Sequence, residues 1–75
     1  MRPDRVIGGV FIYSSPENAL AFYLYALKLV EKYGKFARVE LNGNQVTVLL
    51  QVDSVGEAVA EALVAQINAE APSFD

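Results

Sequence analysis

The stretch Glu31–Gln51, EKYGKFARVELNGNQVTVLLQ, decides the fold. It carries a helix end, a strand, a turn and a second strand. From Phe36 to Leu41 the residues alternate, with Ala37, Val39 and Leu41 on one side and Phe36, Arg38 and Glu40 on the other. From Gln45 to Val52 the alternation returns, with Val46, Val48, Leu50 and Val52 set against Gln45, Thr47, Leu49 and Gln51. Asn42-Gly43 lies between them. It is the strongest short hairpin signal, because a type I′ turn needs positive φ at both central positions. A two-residue turn there pairs Val39 with Val46 and Arg38 with Thr47, and the apolar faces coincide.

Upstream, Pro16 to about Tyr33 reads as a helix. Ser15 can cap it, Pro16 fits its first position, Glu17 suits the positive end of its dipole, and Gly34 stands where a left-handed C-terminal residue is usual. Leu20, Leu24, Leu27 and the Val30/Glu31 position form one ridge; Phe22, Ala26, Leu29 and Tyr33 form another; Ala19, Tyr23 and Val30 fill the space between. This apolar surface is wider than the ~100° stripe of a one-sided surface helix. One side is therefore expected to pack on the sheet and another on a partner chain.

Before the helix, Arg5–Tyr13 (RVIGGVFIY) reads as a strand. Val6, Gly8, Val10 and Ile12 share one face and Ile7, Gly9, Phe11 and Tyr13 the other, and both are expected to be at least partly covered. Gly8-Gly9 marks a bulge or a close backbone approach. After the hairpin, Ser54 and Glu57 form a capping box at the start of a last helix, which runs to about Ala69. Val55, Val59, Leu63 and Ile67 make its apolar stripe, and Ala58, Ala60, Ala62, Ala65 and Ala69 allow close approach. Met1–Asp4 is expected to fray and residues 71–75 to form a tail. The predicted fold class is α+β: a two-layer β-α-β-β-α domain spanning 1–75, with an ordered core at 5–70. A small, largely antiparallel sheet carries two helices on one face.

Composition narrows the chemistry. The chain has 75 residues and no cysteine or histidine, which excludes disulfides, Cys-His zinc sites and Ser-His-Asp or Cys-His catalysis. No cluster of acids suggests a metal, and no cofactor is expected. A domain this small buries only about 60% of its unfolded surface. Its 53% hydrophobic content therefore points to oligomerisation. The net charge of −3 lacks the basic face that nucleic acid requires. No apolar run approaches the roughly 20 residues of a membrane span. Residues 1–15 lack the apolar core of a signal peptide, so the expected compartment is the cytoplasm. The weak catalytic candidates are Glu31, Lys35 and Asp53. Their simpler readings are an exposed Glu31–Lys35 ion pair and a helix-capping Asp53. Ser14 and Ser15 read as capping residues.

Three stretches resemble the pterin-4a-carbinolamine dehydratases. Phe11-Ile12-Tyr13 followed by Asn18–Phe22 is similar to that family's entry into its long helix, Val30-Glu31-Lys32 to the helix end, and Gln45–Asp53 with Ala58–Ile67 to the final strand and helix. The similarity covers roughly residues 6–69. The departures fall on the chemistry. The family's His-His-Pro stands where this chain has Lys35, Phe36 and Ala37; its aromatic in the following strand matches Gly43; its later Thr-His matches Val52-Asp53. Of the acid-base groups only Glu31 has a counterpart, and the family's N-terminal helix has none in this chain. Losing a general acid-base group typically costs about 10²–10⁴ in rate. The family forms dimers joined sheet edge to sheet edge and tetramers packed through helices. Some of its histidine-lacking relatives act by binding, including as assembly factors for Rubisco.

The resemblance thus implies a catalytically degenerate, oligomeric interaction or assembly factor, with an unidentified protein partner. The alternative is an active dehydratase, a lyase, with a rearranged acid-base site at Glu31, Lys35 and Asp53. The oligomer-interface candidates are Phe22, Tyr23, Ala26, Val30, Tyr33 and Phe36.

Overall fold

The computed structural model describes residues 4–75. Strand β1 (Val6–Ile12) leads into helix α1 (Pro16–Val30) and a 3-10 segment at Glu31–Phe36. Strands β2 (Ala37–Asn42) and β3 (Gln45–Gln51) follow, then a short helix α2 (Val52–Val55), helix α3 (Glu57–Glu70) and a 3-10 turn at Ala71–Phe74. The three strands form an antiparallel sheet in the order β1-β3-β2. Helix α1 packs mainly on β2 and β3, and α3 on β1. The expected α+β architecture, with two principal helices on one face of the sheet, is present.

Period-two patterning assigns the faces. Val46, Val48 and Leu50 of β3 are fully covered, together with Ala19, Phe22, Ala26 and Val30 of α1 and Ala60, Leu63 and Ile67 of α3. Phe22 is the centre of this core. Its ring meets Phe11 edge-on at 4.9 Å, Tyr13 at 5.3 Å and Phe74 edge-on at 5.6 Å. Such aromatic pairs add about 0.5–1.5 kcal/mol each beyond the area they bury. Among the described residues the opposite face of the sheet carries no helix. On β1, Ile7 and Phe11 pack against the core while Val6, Val10 and Ile12 are exposed, so only one face of that strand is covered.

The hairpin keeps its predicted faces and differs in register. Val39 pairs with Val48 and Arg38 with Leu49, because Gly43-Asn44 forms the turn and Asn42 pairs with Gln45. Of the two turn residues only Gly43 has positive φ (63°), as a type II′ turn requires, whereas the expected type I′ turn at Asn42-Gly43 needs positive φ at both of those positions. Asn44 is held to β1: its main-chain oxygen accepts from Tyr13 N–H at 2.8 Å and its side-chain amide donates to Tyr13 O at 2.8 Å. The β1–β3 register runs without a bulge. Gly8 is the close approach: a Cβ there would lie 1.8 Å from the Val48 carbonyl oxygen.

The helix ends also depart from the sequence reading. Ser15 does cap α1, accepting from Asn18 N–H at 3.2 Å, but the α-helix stops at Val30 and continues as a 3-10 segment kinked at Gly34. The Ser54–Glu57 capping box is not made, because Gly56 (φ 106°) separates α2 from α3. In its place Asp4 caps α2, accepting from Asp53 N–H at 2.7 Å and Ser54 Oγ at 2.6 Å. Asp4 is therefore tied down; the rest of the segment expected to fray, residues 1–3, lies outside the described residues. The buried stripe of α3 is Ala60, Leu63 and Ile67, with Val59 turned outward.

The predicted tail is packed. Ala71 is buried, Phe74 stacks at 5.3 Å from Tyr25, and Tyr13 Oη donates to Ala71 O at 2.8 Å. Asp75 closes the α1 entrance: its Oδ1 accepts from Ser14 N, Ser14 Oγ and Asn18 Nδ2 at 3.2, 2.6 and 3.2 Å.

Candidate functional site

Glu31, Lys35 and Asp53 come from three different local structures. Glu31 opens the 3-10 segment and pairs with Lys28 at 3.2 Å, one turn earlier, so the expected Glu31–Lys35 pair is replaced by an i,i+3 pair. Lys35 lies beyond the kink at Gly34, with its Nζ 5.5 Å from the Phe36 ring centroid. Asp53 sits in the first turn of α2, where its backbone N–H is capped by Asp4. Asp53 is thus in a capped turn and does not itself do the capping. Among the described residues no hydrogen bond or ion pair joins any two of the three, and no group of three or more acids is placed to hold a metal.

A hollow of about 440 Å³ forms an open groove beside the end of α1, lined by Tyr25, Lys28, Leu29, Glu31 and Lys32. It includes Glu31 but neither Lys35 nor Asp53. The Lys28–Glu31 ion pair belongs to its lining, together with the positive Lys32. A smaller hollow of about 270 Å³ lies between β1 and the C-terminal turn, beside Tyr13 and Asp75. Here the Ser14 hydroxyl and N–H hold the Asp75 carboxyl below the usual carboxylate range, and burial pushes the Tyr13 phenol up. At the other end of the sheet the Ser54 hydroxyl holds the Asp4 carboxyl below its usual range. All three shifted groups take part in fixed hydrogen bonds that tie separate segments of the chain together, which is a structural role.

The larger surface feature is apolar. Of the six predicted interface residues, Phe22, Ala26 and Val30 belong to the core of the single chain. Tyr23 and Tyr33 are half-buried and pack on that core, and Phe36 is exposed. The ridge left free on α1 is the other one: Leu20, Leu24 and Leu27 are 44%, 54% and 38% exposed. The i, i+4, i+7 spacing showed two apolar ridges but not which faced the sheet. The decisive signal is the i, i+4 step from Phe22 to Ala26, a large residue next to a small one, which lets α1 approach the strands. A second patch is the uncovered side of β1: Val6, Val10 and Ile12 are 50% to 70% exposed, with Leu49 of β3 beside them.

Compared with protein-family models, with curated proteins and with solved structures, the chain matches none. Among the described residues no helix is long and apolar enough to cross a membrane.

Proposed function

We propose that the chain is a catalytically degenerate, dehydratase-like scaffold that works in the cytoplasm by association, first with copies of itself and through that assembly with a protein partner. The observation that carries this reading is the apolar surface. Ten large hydrophobic side chains are exposed among the described residues, and most of them gather on the free ridge of α1 and the uncovered side of β1. Monomeric soluble proteins rarely leave contiguous apolar patches of this kind, whereas interaction surfaces do. The positions of the three acid-base candidates add support. Glu31 is paired with Lys28, Lys35 lies against Phe36, and Asp53 belongs to a capped turn, so among the described residues no two of these three candidates form a donor–acceptor pair.

The test is a direct assay for dehydration of a 4a-hydroxytetrahydropterin, run beside light scattering at micromolar concentration. The reading predicts an oligomeric mass and no turnover above the uncatalysed rate. Turnover abolished by Glu31→Gln or Asp53→Asn, or a monomeric mass, would overturn it.

A further inference from the structure

We infer, resting on the associative reading, that the uncovered face of the sheet packs against the same face of a second copy of this chain, about a two-fold axis that crosses the strands at Gly9, Val48 and Val39. The strand registers set out the rows of this face. Gly8, Leu49 and Arg38 stand side by side in one row, and Val10, Thr47 and Glu40 in the next. Val6 and Gln51 flank the first row, and Ile12, Gln45 and Asn42 the second. Among the described residues, four of the ten exposed large hydrophobic side chains lie here: Val6, Val10, Ile12 and Leu49. Leu49 sits on the central strand and is 38% exposed, where a solvated sheet face ordinarily presents a polar residue.

Facing sheets pack about 10 Å apart with their side chains interdigitated, so large residues must meet small ones. A two-fold across the strands lays each of the two central rows on the other. Val10 then lies over Gly8 of the copy, Leu49 over Thr47 and Arg38 over Glu40, each contact made twice, while Val6 and Ile12 meet at both ends. The gap at Gly8 cannot be filled from within the chain, because a Cβ there would meet the Val48 carbonyl oxygen at 1.8 Å. Arg38 and Glu40 are paired within their strand at 2.8 Å, both more than half exposed. Across the axis each gains a second partner, which closes a ring of alternating charge along the rim. An isologous contact must be self-complementary in this way. A two-fold along the strands lacks the match, since it lays β1 of one copy over β2 of the other and sets Val10 and Ile12 on Glu40 and Asn42. The face-to-face contact leaves both sheet edges free, so it is distinct from edge-to-edge pairing. It also leaves the Leu20–Leu24–Leu27 ridge of α1 open to the protein partner.

Sedimentation equilibrium on the full chain and its variants tests the interface, with circular dichroism confirming that each variant is folded. The wild type is expected to dimerise. V10K removes two valines from the contact and sets a charge over Gly8 of the copy, so it should raise the dissociation constant by about a hundredfold or more. Val10 is 58% exposed in the single chain, which leaves room for the lysine in the folded monomer. R38E and E40R each oppose like charges twice and should raise the constant by about tenfold. Their equimolar mixture should form heterodimers, and R38E/E40R should recover wild-type affinity. L24K, on the ridge of α1, should leave the dimer intact. A wild-type oligomer that V10K leaves unchanged, or that L24K abolishes, would overturn this interface while sparing the associative reading. A wild-type monomer at every concentration would overturn both.

Discussion

Phe22→Ala separates two roles for α1. Phe22 was a candidate interface residue from its sequence pattern, yet its ring is fully buried at the junction of β1, α1 and the C-terminal turn. Truncation removes the whole ring and leaves a cavity bounded by Phe11, Tyr13 and Phe74, whose aromatic contacts vanish with it. Phe→Ala in such a core costs about 3–5 kcal/mol. At about 0.05–0.15 kcal/mol per residue, that is a large part of the whole stability of a 75-residue domain. With an m-value near 1 kcal/mol per molar for a small chain, the urea midpoint should fall by about 3 M or more. The control is Leu24→Ala on the outer ridge of the same helix, expected to change intrinsic stability by no more than about 0.5 kcal/mol. Urea unfolding followed by circular dichroism is the assay, with all variants at one protein concentration because association contributes to the midpoint. A loss below about 1 kcal/mol for Phe22→Ala would refute the assignment of this ridge to the core.

Three further outcomes follow from the structure. Gly8→Ala should unfold the chain or drive it into aggregates, because the new Cβ would meet the Val48 carbonyl oxygen at 1.8 Å and backbone cannot yield as a flexible side chain does; a melting temperature within a few degrees of wild type would contradict this. Tyr13→Phe orphans the Ala71 carbonyl and should cost about 1–2 kcal/mol in chemical unfolding. Because burial raises the Tyr13 pKa, wild-type stability should also decline as pH rises above about 10, and Tyr13→Phe should reduce that decline. Asp4 and Asp75 have lowered pKa values in the folded chain, so their contributions are present above the unfolded carboxylate pKa and lost as pH falls below about 4; the melting temperature should drop across that range, and Asp4→Asn with Asp75→Asn should flatten the drop.

The sequence carried the element order because its apolar periods switch cleanly, from two in Phe36–Val52 to helical in Pro16–Val30 and Glu57–Glu70. It could not carry the hairpin register. Val39 faces the helices whether it pairs with Val46 or Val48, since a shift of two residues preserves every face. What separates the two is a long-range fact, the clasp of Asn44 on Tyr13. The C-terminal segment misled for the same reason. Pro72 does end α3, but Phe74 and Asp75 find partners on α1 some 50 residues earlier, beyond the reach of any local signal. Ser54 and Glu57 have the spacing of a capping box; Gly56 between them breaks the helix, and Asp4, just ahead of the neighbouring strand β1, takes over the cap from a point 49 residues earlier in the chain. At the candidate site, the residue types were legible and their separation was not, because Gly34 turns Lys35 away from the helical continuation of Glu31.

The measurement that bears most directly on the central claim is the mass of the unmodified chain in solution across a wide concentration range, by sedimentation equilibrium. Association through exposed apolar surface predicts a concentration-dependent mass that reaches at least twice the chain's 8.2 kDa. A constant 8.2 kDa at every concentration would contradict the account.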